Sequence, residues 1–190
     1  DLDIEKLRDD GFVRLSLPEN LQPYAEGGYS TATGKAMLIN HGLPAVGLPA
    51  LPTYAVGTEM AIEENSQYPL NLMSPKTHVR FLNSSYSHFG HHAEAEGEMF
   101  CEIHPHDAEK RGISHGERVR VFNDRGSLDV IARVSADGGR VRSGVVVVPF
   151  GWVGSRTKDT KSVNALTNDQ LANYGGGVAY YDTQVQVEKI

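Results

Sequence analysis

Ile103-His-Pro-His-Asp-Ala-Glu-Lys-Arg-Gly-Ile-Ser-His-Gly-Glu-Arg-Val-Arg-Val-Phe-Asn-Asp-Arg-Gly126 is the stretch on which the fold turns. It opens at the end of an apolar run, and Pro105 then suits the first turn of a helix, where a missing N–H does no harm. That helix is expected over Pro105 to Arg111, with Asp107 as its cap and Gly112 as its stop. Gly116 turns the chain into Arg118 to Phe122, whose residues alternate as they do in a half-buried strand. Asn123-Asp124-Arg125-Gly126 then reads as a tight hairpin, because Asn, Asp and Gly tolerate the positive φ that such turns use. Strand, short helix, strand and hairpin in one stretch point to a β fold with small helical interruptions.

Working outward, strand-like runs occupy Leu70 to Met73, Met99 to Ile103, Arg118 to Phe122, Ser127 to Val134, Gly144 to Phe150 and Thr183 to Ile190. Six such runs predict a barrel or a sandwich. A second helix is expected over Leu166 to Asn173, ahead of Gly175-Gly176-Gly177. Upstream, prolines gather between Pro18 and Pro69, and Gly27-Gly28, Gly42, Gly47 and Gly57 interrupt what is left, so regular elements there must be short. Residues 1–65 are therefore expected to be an irregular arm that wraps another surface, and residues 66–190 the barrel domain. Within the arm, Ile4 to Asp10 suits a helix stopped by Gly11, and Phe12 to Leu17 a half-buried strand. No internal sequence repeat is evident.

A chain of 190 residues, 39% hydrophobic, supports one core and a small appendage. Its 18 basic and 24 acidic residues leave a net charge of -6, which argues against a surface built to grip nucleic acid or an anionic membrane. The longest apolar run, Val145 to Phe150, is too short to span a bilayer, so no membrane insertion by this segment is expected. The opening residues resemble no targeting segment and read like the middle of a longer chain. A single cysteine, Cys101, excludes an internal disulfide and an iron–sulfur cluster held by this segment alone. Set among Met99, Phe100 and Ile103, it reads as a small apolar core residue. One thiol does not distinguish a cytoplasmic from a periplasmic home.

The stretch from Ile103 to Gly126 resembles a motif of the dimethyl sulfoxide reductase family of molybdenum and tungsten oxidoreductases. In that family a strand is followed by Pro-x-Asp-Ala, a short helix ending Arg-Gly-Ile, then x-x-Gly-Asp-x-Val; here Glu117 replaces the usual Asp. Tyr29-Ser-Thr-Ala-Thr-Gly-Lys35 resembles the family's Phe-x-Thr-Pro-Ser-Gly-Lys segment, with Ala32 in place of Pro. Tyr68 to Ser85 resembles its first barrel strand and the loop that meets the pterin. Gly151-Trp152 with Ser162-Val-Asn-Ala-Leu-Thr167 resembles its Gly-Trp and Val-Asn-x-Leu-Thr pair. The resemblance covers nearly the whole chain and implies a mainly β, six-stranded double-psi barrel of the aspartate-decarboxylase-like type, with short helices and an irregular N-terminal arm.

It further implies that the chain is the C-terminal part of a bacterial molybdopterin oxidoreductase, binding bis-molybdopterin guanine dinucleotide with molybdenum or tungsten. The metal ligand and the cysteines of any iron–sulfur cluster would belong to the missing N-terminal domains. Those domains are the expected partner, and an electron-transfer subunit a further one. The fragment alone would be inactive and without cofactor. By resemblance, Ser74, Lys76, His78, Asn83, Ser84 and Ser85 stand where family members approach the pterins, and Lys76 and Arg80 suit its pyrophosphates, since cations make charge-assisted bonds to phosphate; both also read as solvated loop charges. Asn164 matches the family Asn that bonds the pterin, for which a carboxamide offers both donor and acceptor; a turn Asn bonding its own backbone is the alternative. Trp152 lines the cofactor or fills the barrel end. Tyr181 stands where the family often has a pterin-contacting Lys.

Seven of the eight histidines fall between His78 and His115, yet their spacing matches no closed zinc pattern. His88, His91 and His92 are expected in a mobile or interface loop, and Glu94, Glu96 and Glu98 in a solvated acidic stretch. No catalytic or metal-ligating residue is assigned. The rival reading is a non-catalytic binding module on the same barrel, because fold does not dictate function. Convergence of Asn164 and the Ser74 to Ser85 loop at one barrel end separates the two.

Overall fold

The computed structural model describes residues 3–60, 67–77, 82–135, 140–152, 162–173 and 175–190. The chain divides into two units, Asp1–Thr53 and Tyr54–Ile190.

The first unit has little regular structure. Helix α1 (Ile4–Asp10) forms as expected: Asp3 accepts from the backbone N–H of Glu5 and Lys6, and Gly11 closes the helix at φ 73°. A 3-10 turn follows at Leu43–Val46. The strand expected over Phe12 to Leu17 is absent. These residues find no partner strand; Phe12 is 72% exposed, and alternation without a sheet to pack on leaves both faces in water. No described residue of this unit is buried. Tyr24 and Tyr29 stack at 4.5 Å, and Met37, Leu38 and Ile39 border a surface hollow of about 430 Å³.

The second unit is a closed six-stranded barrel: β1 (Leu70–Met73), β2 (Phe100–Ile103), β3 (Arg118–Asn123), β4 (Gly126–Val134), β5 (Val145–Val147) and β6 (Gln184–Lys189), in the order β1-β5-β2-β4-β3-β6. All six strands expected for the barrel are present: β1 has the expected ends, β2, β5 and β6 are shorter, and β3 and β4 each gain one residue, Asn123 and Gly126. The pairs β1/β5 and β2/β4 are parallel and the other four antiparallel, as the double-psi arrangement requires. Replacing each strand by the one three later leaves every pairing unchanged, although the sequence carries no visible repeat.

Alternation fills the barrel. Leu70, Leu72, Ile103, Val119, Val121, Val130, Val146, Val185 and Val187 point inward and are buried, each contributing roughly 1.5–3 kcal/mol by leaving water. Cys101 lies among them, fully buried.

Helix α2 (Gly90–Glu96) carries His91 and His92, which were expected in a loop; His91 and His92 face each other at 4.1 Å, and His92 stacks on Tyr86. Helix α3 (Pro105–Glu109) is shorter than expected and is capped by His104, whose Nδ1 accepts from the His106 N–H. Asp107 therefore does not cap it. Its carboxylate reaches across to the approach to β5, accepting from the Ser143 hydroxyl at 3.1 Å and the Gly144 N–H at 2.7 Å. The helix ends at Glu109 with Lys110 as its C-cap, and Gly112, at φ 63°, turns the chain two residues later, where the Ile113 N–H returns to the Ala108 carbonyl.

The β3–β4 hairpin is also built differently from expectation. Asp124 and Arg125 both keep negative φ; Asn123 Oδ1 accepts from the Arg125 N–H and makes the turn through its side chain. Gly126 is required by proximity, because a Cβ there would lie 2.9 Å from the Ala165 carbonyl oxygen. The helix expected over Leu166 to Asn173 is replaced by a 3-10 turn at Val163–Ala165. Asn168 prevents its extension: its Oδ1 accepts from the Gln170 N–H, an arrangement that competes with a helix, and Leu171 bridges to Val178.

Asp107→Ala should lower the unfolding free energy by about 1–3 kcal/mol, since it strands the Gly144 N–H. Glu109→Ala, at an exposed neighbour, should change it by less than about 0.5 kcal/mol. Urea denaturation followed by circular dichroism measures both.

Candidate functional site

Strand directions decide which loops share a barrel mouth. β1 and β5 are parallel; β2 opposes β5 and parallels β4; β3 opposes both β4 and β6. It follows that β1, β3 and β5 run one way and β2, β4 and β6 the other. One mouth thus gathers the segments that leave β1, β3 and β5 and those that enter β2, β4 and β6.

Nearly every described candidate belongs to that mouth. Ser74 to Thr77 leaves β1 beside Val148 to Phe150 leaving β5. The Val148 N–H donates to Met73 at 2.9 Å, the Phe150 N–H to Pro75 at 3.0 Å, and Lys76 bridges Phe150. The 3-10 turn bearing Asn164 sits on the β3–β4 hairpin, through Gly126 against Ala165 and through the Arg125 Nε–H donated to Leu166 at 2.8 Å. Tyr181 precedes β6, and Trp152 follows β5. Asn83, Ser84 and Ser85 lie in the segment that joins the end of β1 to the start of β2, both at this mouth. His78 and Arg80 lie outside the described residues.

The side chains differ in availability. Ser74 is buried, Ser84 half-buried, and Lys76, Asn83, Ser85 and Asn164 are exposed. Among the described residues, the Lys76 ammonium has no ion pair and the Asn164 carboxamide no hydrogen bond. The backbone of Asn164 is held: its N–H donates to Ser162 Oγ, and its carbonyl accepts from Thr167 Oγ1, each at 3.3 Å. Trp152 is 1% exposed, with its indole N–H given to Gly97 at 3.0 Å and its ring at right angles to Phe100, so it fills the barrel end. Tyr181 packs on Tyr180 at 4.5 Å; partial burial, then its neighbour, pushes its hydroxyl above the ordinary tyrosine value.

Two features of this mouth were not singled out from the sequence. Thr77 is 7% exposed, and its hydroxyl oxygen is buried without a partner, an arrangement native proteins rarely leave without a ligand or water. Leu82 and Asn83 both adopt positive φ, 45° and 65°, which for Leu costs roughly 1–2 kcal/mol and is sustained by the surrounding turns, including Ser87 Oγ–H to Ser84 at 2.8 Å. Thr77 had a signal, its position inside an expected ligand loop; the strain had none. An orphaned buried hydroxyl, a free carboxamide and an unpaired ammonium at one mouth fit a flat ligand rich in amide-like groups that carries phosphates. Among the described residues, no three His, Cys, Asp or Glu side chains group to hold a metal ion.

Residues 70–184 match the model of the molybdopterin dinucleotide binding domain. The whole chain is 33% identical to a probable oxidoreductase, YoaE, of Bacillus subtilis, covering 26% of that protein. Over 149 residues, 74% of the chain, it is 34% identical to the dimethyl sulfoxide reductase DmsA of Escherichia coli, covering 17% of it. The chain thus spans about a quarter or less of these relatives' length. In fold it is similar to acetylene hydratase from Pelobacter acetylenicus, with a TM-score of 0.67 over 84% of this chain and 24% of that one, at 22% identity.

Burial in the barrel pushes the Cys101 thiol up to about 12, with Glu102 adding to the effect. At pH 8 it should therefore resist iodoacetamide in the folded protein and react within minutes in 6 M guanidinium, scored by intact mass. Labelling of the folded protein at the denatured rate would contradict this burial.

Proposed function

The chain belongs to the molybdopterin dinucleotide binding domain family, and from that premise we propose that it closes over a bis-molybdopterin guanine dinucleotide in a larger oxidoreductase. What supports this most is the shared mouth: the Ser74 to Thr77 loop, Asn164 on the turn that rests against the hairpin, and Tyr181 belong to one end of the barrel, where a non-catalytic module would have no reason to gather them. When bound, the cofactor's molybdenum or tungsten supplies the redox chemistry.

In this reading the chain's own groups bind and orient. Asn164 offers a donor and an acceptor to the pterin; Ser74, Thr77, Asn83, Ser84 and Ser85 offer hydroxyls and an amide around it. Lys76, and with it Arg80, answers the pyrophosphate charge. His78 stands in the same loop, Tyr181 presents its ring and hydroxyl at the rim, and Trp152 backs the site and keeps water from the barrel end. The metal ligand and any iron–sulfur cysteines come from domains before this one. Of the arm expected over residues 1–65, the part up to Thr53, with no buried side chain among those described, packs on them, whereas Glu59 is bonded to the barrel. The 190 residues alone would therefore carry no activity, and an electron-transfer subunit would contact the larger enzyme.

Elemental mass spectrometry and the fluorescence of oxidised pterin test the reading on the full-length enzyme, made in cells supplied with molybdate or tungstate. Stoichiometric metal and pterin are expected; absence of both, from a host that loads a control enzyme, would refute it. Asn164→Ala should weaken cofactor retention on the order of tenfold, the effect of one or two lost hydrogen bonds, while leaving the protein folded. Lys76→Ala should act in the same direction by roughly two- to five-fold, as an exposed charge does.

A further inference from the structure

We propose that Arg125, oriented by Glu59, is the positioning residue that holds Asn164 in place at the barrel mouth; the inference rests on the reading that Asn164 contacts the cofactor.

The segment bearing Asn164 cannot position itself. Val163–Ala165 is a single 3-10 turn, a geometry that persists only when its surroundings hold it. Val163, its first residue, and Leu166, the residue after it, are fully buried, which fixes its depth. Its direction is set at one atom, the Leu166 carbonyl oxygen. That oxygen accepts from Arg125 Nε at 2.8 Å and from Asn123 Nδ2 at 2.9 Å, both from the hairpin below. Asn123 is anchored in turn by donating to Gln184 of β6 at 3.1 Å.

The guanidinium is itself aimed. Its two terminal nitrogens meet the two carboxylate oxygens of Glu59 at 2.8 and 2.9 Å, a side-by-side pairing that fixes the plane and so the direction of Nε. Glu59 is held by the Gln184 N–H at 3.2 Å and by Asn168 Nδ2 at 3.3 Å. Asp182 secures the chain at that point by accepting from the Glu59 and Met60 N–H groups. With Arg125 35% and Glu59 22% exposed, the ion pair adds little net stability; what it supplies is direction. A lysine keeps the charge but has no planar fork, so it cannot serve the carboxylate and the carbonyl together.

The experiment uses the full-length holoenzyme with Arg125→Lys, Glu59→Gln and Asn164→Ala, singly and with each of the first two added to the third. The rate of pterin release on gel filtration is read by the fluorescence of oxidised pterin, with the thermal midpoint recorded alongside. Arg125→Lys and Glu59→Gln should each speed release by roughly five-fold alone, yet by less than about two-fold once Asn164 is Ala, because network partners are not additive. Their thermal midpoints should stay close to that of the parent. Equal acceleration with and without Asn164 would overturn the proposal and leave the cofactor reading intact, since the pair would then act through the fold at large. Unchanged release by Arg125→Lys would also overturn it. If Asn164→Ala alone leaves release unchanged, both the proposal and the role of Asn164 fall.

Discussion

The seam between β1 and β6 is the constraint on which this domain depends. Only two register pairs, Leu70 with Val185 and Asn71 with Gln184, join the first barrel strand to the last. Without them the sheet would have two open edges, each a row of unpaired N–H and C=O groups. With them the sheet closes, the inward residues of all six strands share one core, and strand directions at each mouth are settled. The short seam is reinforced from the side, because Asn123 and Glu59 both bond the backbone of Gln184.

Closure also sorts labour between the two ends. At one, Asp107 ties α3 to the approach to β5, so the opening of the most recognisable stretch of the sequence is a structural staple at the mouth opposite the candidate ligand groups, while the hairpin that ends it lies at theirs. At the other, loops carry hydroxyls, amides and a cation on strand ends that cannot move independently. A site built on such a frame is precise because its supports are barrel strands and their hydrogen-bonded turns.

The barrel was legible because alternation is local: Val119, Val121, Leu128 and Val130 announce their faces within a few residues. The candidate loop was legible by composition and by resemblance. Two elements misled for physical reasons. Phe12 to Leu17 alternates but has no sheet to join, and Leu166 to Asn173 has helical residues but loses to the turn that the Asn168 side chain makes. The network around Arg125 was illegible because its partners, Glu59 and Leu166, lie far away in sequence and no local pattern links them. Asn123-Asp-Arg-Gly126 signalled a turn; that its Asn and Arg also reach another segment needed coordinates.

The strand order bears on how the chain assembles as it is made. The β3–β4 hairpin can form as soon as its own residues exist, whereas β1, though synthesised first among the strands, has only β5 and β6 as neighbours. It must wait, apolar and unpaired, until β5, some seventy residues later, has left the ribosome. Strand order in the chain therefore favours pairing of the β3–β4 hairpin first, with the earliest strand joining only after β5.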